Sequence, residues 1–409
     1  MNPRELQQKV KNDYDQLPYP GINSETLLTE GWSWVNPNWI TSLLPFNLDK
    51  TLPFRRILIA GCGTGNEAFE MKNRFPDAEI TAVDYSEPAI RIAREYQKKH
   101  SQYSDIQFEL GDLTTGESNW AKTGYYDFIS CHGVLSYIQD IQAVFNSFAK
   151  CLSPKGTLYL GVNGATHSGI TIRNSFDYFG YTSNRFEDTL KNRQLIELFD
   201  RLRPTQEHMA NHSAAYLNSD ILTAFSQNLS LNEWIEYASE SKLHLISSAE
   251  LIPNIAKTLS ANIFSLLISK SKKEICEIIE LNNTASFHRL IFSKQPPCSI
   301  PWDDFDALLD HEFQTTQLYN LQNPASRIYG ELILNCTVCE GYNIHFRWPA
   351  ESISIKLLDQ KETGIRIKDA LENEIDSLKD DRTTLIYKLF MFYQLGMINI
   401  FPTTFQTDN

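Results

Sequence analysis

Residues 60–68 read AGCGTGNEA, with glycines at 61, 63 and 65. The stretch follows a short apolar run and precedes a helical pattern, so it is predicted to turn a strand into a helix. Glycine there allows a tight turn and lets the backbone, Cys62 included, come close to a ligand. The helix N-terminus beyond it offers unpaired amides to a carboxylate or phosphate. Two cofactors suit such a loop. Gly63-Thr64-Gly65-Asn66-Glu67-Ala68 matches the G-x-G-x-x-A of a dinucleotide site. Gly61, Gly63 and Gly65 match the G-x-G-x-G of a site for S-adenosylmethionine (SAM). Asp84, followed by Tyr85, ends EITAVD, where a carboxylate accepts both hydroxyls of a ribose from either cofactor. Gly111-Asp112-Leu113 ends IQFELGD. A carboxylate at 112 can accept from the exocyclic amine of adenine, with Leu113 near the ring.

The elements that must position these groups follow a regular alternation. RILIA (Arg56–Ala60) reads as a strand covered on both faces. Glu79–Asp84, Ile106–Asp112, Tyr125–Cys131 and Thr157–Val162 read as four more, with Pro154-Lys155-Gly156 as a turn before the fifth. Helices fit the intervening segments: Ser86 as N-cap opens one, and Gln139–Cys151 forms another. Strands alternating with helices imply a parallel sheet with right-handed crossovers. After a polar, helical-looking segment the pattern resumes with a helix from Leu231, a strand near Leu243–Ser247 and a strand at Phe287–Lys294. The expectation is a seven-stranded sheet with insertions at 163–230 and 248–285.

The chain has 409 residues, 42% of them apolar, which suits two or three domains with real cores. A formal net charge of −13 argues against a broad nucleic-acid surface, which needs clustered Lys and Arg. Seven scattered cysteines cannot pair completely, and reduced thiols in a cytoplasmic protein are the simpler expectation. MNPRELQQKV is charged where a signal peptide is apolar. Leu385–Phe401 is the most membrane-like run, but Lys388, Gln394 and Gly396 interrupt it, and a buried helix–turn–strand is expected there. From Pro301 onward 17 acidic residues face 9 basic ones. GIRIKDALENEI reads there as an amphipathic helix ahead of the helix–turn–strand, which suggests a winged-helix-like module unsuited by charge to DNA. Cys336 and Cys339 form a lone C-x-x-C. Cys298, His311 or His345 could complete a metal site, but no metal is expected and buried thiols are the preferred reading. Trp32, Trp34 and Trp39 read as anchors of a helix on the sheet rather than a recognition patch.

The Gly111-Asp112-Leu113 stretch, the seven-strand pattern and the Pro154–Gly156 turn resemble the class I SAM-dependent methyltransferases. Four stretches are similar to a narrower family, the methyltransferases with a regulatory domain that include bacterial outer-membrane-protein lysine methyltransferases. They are Tyr14-Asp15-Gln16-Leu17-Pro18-Tyr19, the glycine loop, Cys131-His132-Gly133-Val134-Leu135-Ser136-Tyr137, and Tyr216–Ile246 with Phe287–Phe292. The resemblance covers most of residues 10–294 intermittently and implies an α/β fold, a Rossmann-like seven-stranded sheet with a helical insertion. The expected domains are residues 1–50 as an N-terminal lid, 51–295 as the methyltransferase domain and, from its own pattern and charge, 301–409 as the acidic winged-helix-like domain. It places the tyrosine-rich leader and the loop after the fourth strand over the SAM pocket, so Tyr19 and Cys131 join the cofactor residues. The sequence departs from many relatives at Ile59, where an acidic residue precedes the first glycine by two positions.

Methyl transfer is a displacement at an already activated sulfonium carbon, so alignment and exclusion of water do most of the work. Aromatic faces suit a sulfonium or methylated ammonium. A lysine acceptor must also lose a proton from a pKa of about 10.4. Tyr14, His132 and Tyr137 are the candidate catalytic residues, with Tyr19, Asn163 and His167 beside them. A protein or peptide acceptor is expected, with lysine favoured. The alternatives are a small-molecule N- or O-methyltransferase and a SAM-fold binding module without catalysis.

Overall fold

The computed structural model describes residues 3–20, 39–40, 43, 54–116, 118–180, 189–202, 213–257, 265–316, 319–321, 331–337, 343–349, 354, 357–358, 364–371 and 382–402. Trp32, Trp34 and Cys339 lie outside them, whereas Trp39 is fully buried. Chain contacts divide the protein into two compact units: Met1–Trp32, Phe54–His244 and Thr284–Gln295 in the first, and Ser33–Pro53, Leu245–Asn283 and Pro296–Asn409 in the second.

The first unit opens with helix α1 (Pro3–Gln16). Strand β1 (Arg56–Ala60), helix α2 (Asn66–Arg74), strand β2 (Glu79–Asp84), helix α3 (Glu87–Lys99), strand β3 (Gln107–Leu110), strand β4 (Tyr126–His132), helix α4 (Ile141–Cys151) and strand β5 (Leu152–Asn163) follow. Helices α5 (Ser168–Tyr178) and α6 (Thr189–Leu202) and a π-helical turn at Leu217–Ile221 fill the first insertion. Helix α7 (Leu231–Glu240), strand β6 (His244–Ser248), helices α8 (Leu251–Lys257) and α9 (Lys272–Asn282), and strand β7 (Phe287–Ser293) follow in the chain; of these, β6 beyond His244 and both α8 and α9 belong to the second unit. The seven strands form one sheet in the order β3-β2-β1-β4-β5-β7-β6. Strands β1 to β5 pair in parallel, and β7 runs antiparallel to β5.

Local chemistry explains these elements. Four of the five residues of β1 and five of the six of β2 are buried, as a sheet covered on both faces requires. Ser86 caps α3 by accepting from the Ala89 amide, Pro88 fits its first turn, and Lys98 and Lys99 end it. Asp140 caps α4, and Ser230 with Glu233 forms a capping box on α7. The strand order reverses between β1 and β4. A sheet of this kind opens a ligand crevice at the carboxyl ends of the strands flanking such a reversal.

Three local features depart from the sequence pattern. The prolines of Asp13–Ile22 cannot occupy a helix interior, yet α1 carries Asp13, Tyr14, Asp15 and Gln16. Proline restricts itself and the residue before it, so Pro18 ends the helix without reaching its last turn, where the Leu17 amide still bonds the Asp13 carbonyl at 3.1 Å. Pro154-Lys155-Gly156 is no free turn. Leu152 pairs with Tyr126 and Thr157 with Phe128, so the tripeptide bulges within one continuous strand. Strand β3 also stops at Leu110, which leaves Asp112 in the turn after it.

The second unit contains helix α10 (Phe305–Leu309), strand β8 (Glu312–Thr315), strands β9 (Tyr319–Leu321), β10 (Glu331–Thr337) and β11 (Asn343–Pro349), strand β12 (Ile365–Arg366), helices α11 (Ile367–Ala370) and α12 (Arg382–Gln394), and strand β13 (Ile398–Phe401). The helix–turn–strand read at 385–401 is present, with Gly396 left-handed at the turn. GIRIKDALENEI, expected to be helical throughout, begins as β12 paired antiparallel to β8 and turns helical only at Ile367. The sheet β11-β10-β9, with Cys336 on β10, was not expected. Among the described residues no helix is long and apolar enough to cross a membrane.

Candidate active site

The glycine loop sits at the carboxyl end of β1, against the strand-order reversal. Its backbone is anchored by the Gly61 and Cys62 amides on the Val83 carbonyl, at 2.8 and 2.9 Å. Gly61 and Gly63 both have positive φ, and both are tight. A Cβ on Gly61 would stand 2.2 Å from Val134, and one on Gly63 would stand 2.4 Å from the Tyr19 carbonyl oxygen. That same Tyr19 oxygen accepts the Thr64 amide at 3.0 Å. The segment after α1 is therefore joined directly to the loop, and the loop after β4 packs on its other side.

Asp84 ends β2 and is buried. Its carboxylate accepts the Gly63 amide at 2.8 Å and the Ser86 amide at 2.9 Å. Burial raises its pKa, and the amide hydrogen bonds oppose that rise. The Thr64 hydroxyl and both polar atoms of the Asn66 amide are buried and find no hydrogen-bond partner among the described residues. Buried polar groups are normally paired, so three neighbouring orphans in this loop fit a polar ligand lying on it. The arrangement suits SAM: a glycine cradle, a fixed carboxylate for ribose, and unsatisfied polar atoms at the helix start. Asp112 is exposed, with one carboxylate oxygen closing a local turn on the Thr114 amide and hydroxyl, both at 2.8 Å. Leu113 is buried, and the Trp120 indole packs on Gly111. Cys62 and Cys131 are buried thiols whose pKa values burial pushes up.

A tyrosine cluster stands beside the loop. The Tyr14 ring meets Tyr85 edge-on at 5.9 Å and Tyr137 at 6.4 Å. The Tyr137 hydroxyl donates to Asp220 at 2.6 Å and accepts from the Asn163 amide at 3.2 Å. Asn163 is itself fixed, its backbone amide on the Ser136 hydroxyl at 2.8 Å and its carbonyl receiving the Trp234 indole at 3.1 Å. Burial, followed by the charge of Asp220, pushes the Tyr137 phenol well above its usual range. Burial, followed by Tyr85 and Asp220, does the same to Tyr14. Asp220 has its own pKa raised to about 6 by burial, with the Tyr137 hydrogen bond opposing.

The structure thus gathers Tyr14, Tyr19, Tyr85, Asp84, Tyr137 and Asn163 around the glycine loop. Two other candidates have different surroundings. The His132 ring nitrogen shares a hydrogen bond with the Tyr159 hydroxyl at 2.8 Å, and the ring packs on Phe287. Burial, then the nearby Arg289 charge, holds its pKa well below the usual range, so it is a neutral imidazole. His167 caps α5 through the Gly169 amide, with its pKa lowered to about 4 by burial and then by Arg173. Sequence reasoning missed Asp220. It belongs to a π-helical turn, a feature often found at functional sites but without a sequence signature.

The family described as "Methyltransferase domain" matches residues 58–158. The structure of PKMT2 from Rickettsia typhi in complex with AdoHcy is similar, with a TM-score of 0.54 at 16% identity over 90% of this chain and 76% of that one. At that identity the likeness is one of fold. An uncharacterised Synechococcus protein is 30% identical over 39% of this chain and 38% of its own length. The ubiquinone biosynthesis O-methyltransferase of Xanthomonas campestris is 27% identical over 30% of this chain and 48% of its own length. The chain therefore spans less than half the length of these two relatives.

Proposed function

We propose that the chain, whose residues 58–158 match the family described as "Methyltransferase domain", transfers a methyl group from SAM to a lysine amine of a protein or peptide. Bound SAM supplies a sulfonium methyl already activated for in-line displacement. The glycine loop and Asp84 hold its nucleoside. Tyr14, Tyr85 and Tyr137 present aromatic faces that favour a cation and exclude water. Tyr137 and Asp220 handle the proton. As the acceptor ammonium gives its proton to the Tyr137 oxygen, Tyr137 passes its own to Asp220, and the neutral amine is left to attack. A carboxylate with a pKa of about 6 is charged at neutral pH and still basic enough to contribute. Desolvation of the lysine in the ring cluster lowers its pKa and narrows the gap. His132, neutral and tied to Tyr159, is assigned to shaping the end of β4 rather than to proton transfer.

The observation that carries the amine reading is the Tyr137–Asp220 hydrogen bond within the ring cluster beside Asp84. The resemblance of Tyr14–Tyr19 and Cys131–Tyr137 to the lysine enzymes supports the choice of acceptor. The O-methyltransferase relatives favour a second reading, a small-molecule acceptor. Incubating the protein and methyl-labelled SAM with lysate, before and after removal of small molecules, separates the two. Label is expected in protein in both samples, released as methyl-lysine on hydrolysis. Label confined to the small-molecule fraction would overturn the protein reading.

A further inference from the structure

Ile59 leaves the end of β1 without the carboxylate that many relatives carry there, but a carboxylate stands beside the vacated position. Ile59 of β1 is in register with Ser130 of β4, and residues paired across a parallel ladder share a face of the sheet. The Ser130 hydroxyl donates to the Glu67 carboxylate, which reaches that face from the first turn of α2. Through that bond Glu67, two residues beyond Gly65, joins the end of the glycine loop to β4. Among the described residues no cation forms an ion pair with Glu67, although its neighbour Glu70 is paired with Arg74 at 2.6 Å. Leaving a carboxylate desolvated without a cation is costly, and the residue is well placed to receive one from a ligand.

We infer that Glu67 binds the α-ammonium group of the methionine half of SAM, replacing from α2 the carboxylate that β1 lacks at Ile59. The inference rests on the SAM reading above and adds a residue to its site. Its electrostatics give a second signature. Burial raises the Glu67 pKa to about 7, with Ser130 opposing and the Glu70 charge reinforcing the rise. An ammonium group beside it would lower that pKa, so ligand binding near pH 6.5 should release protons. Affinity should then rise with pH up to about 7 and level off, because only the ionised carboxylate pairs with the ligand.

The test compares two ligands on the full chain by calorimetry: S-adenosylhomocysteine, which has the ammonium group, and 5′-methylthioadenosine, which lacks it. In Glu67→Gln, which keeps size and hydrogen-bonding capacity, S-adenosylhomocysteine should bind about 10- to 100-fold more weakly, the worth of a charged hydrogen bond. Affinity for 5′-methylthioadenosine should change less than about 3-fold, and the proton release near pH 6.5 should disappear. Equal weakening of both ligands, or of neither, would overturn the inference. An unsubstituted protein that binds neither ligand would overturn the SAM reading itself, and that failure is visible before any variant is made.

Discussion

Gly63→Ala is expected to lower SAM affinity by at least about 100-fold, close to 3 kcal/mol. Gly63 has a φ of +52°, a conformation that costs an alanine about 1–2 kcal/mol before any contact is considered. The added methyl would also meet the Tyr19 carbonyl oxygen at 2.4 Å, and that atom belongs to backbone and cannot rotate away. Relief requires the segment after α1 to move, which breaks the bond from the Thr64 amide to Tyr19, or requires the loop to move, which breaks the bond from the Gly63 amide to Asp84. Either displacement disturbs the cradle and the ribose carboxylate together. Gly124→Ala is the matched control. Its φ is +61°, yet nothing lies within 4 Å of the added methyl, so it should lose some stability and no SAM affinity. Calorimetric titration of both variants checks the pair. Equal affinity loss in the two would mean that general backbone strain, rather than the Tyr19 contact, sets the effect.

Asp220→Asn is expected to reduce kcat by about 10²- to 10⁴-fold, the usual worth of a general base, while SAM affinity stays within a few-fold of the unsubstituted value. The rate of the unsubstituted protein should rise with pH through about 6 as Asp220 ionises, and this limb should vanish in the variant. Tyr137→Phe should cost a similar factor, and the double variant little more than either alone, because the two residues act as one relay. Stability should move the other way. The folded pKa of Asp220 lies above the unfolded value of about 3.9, so its ionisation opposes folding, and stability is lost as pH rises through that interval. Asparagine removes the charge, and the variant should melt at a higher temperature at pH 7. A fall in both activity and melting temperature would mark Asp220 as a structural residue.

The parts of this site that were legible in the sequence are those fixed by short-range spacing. Gly61, Gly63 and Gly65 occupy a strand-to-helix turn, and Asp84 sits one strand further on, at a position set by the length of α2 and β2. The alternation that placed these elements also foretold the seven strands. Features that depend on pairing between distant segments were not legible. Asp220 reaches Tyr137 across 83 residues, from a turn whose π geometry no local pattern announces. Glu67 stood in view within the glycine loop, but its placement needs the register of Ile59 with Ser130. The Pro154–Gly156 bulge likewise depends on the fact that Leu152 already pairs with Tyr126. At the N-terminus the helix was not legible either, because the prolines that mark the stretch lie just beyond its last turn. The stretch is a helix end carrying Tyr14, followed by a short segment whose Tyr19 carbonyl closes on the glycine loop.

The most direct measurement is a calorimetric titration of the full, unsubstituted chain with SAM, repeated in the presence of S-adenosylhomocysteine. Saturable binding of one SAM per chain, abolished by the competitor, is the expected result. A chain that takes up no SAM while its melting curve shows it folded would contradict the assignment of the glycine loop, Asp84 and the tyrosine cluster to a methyl donor.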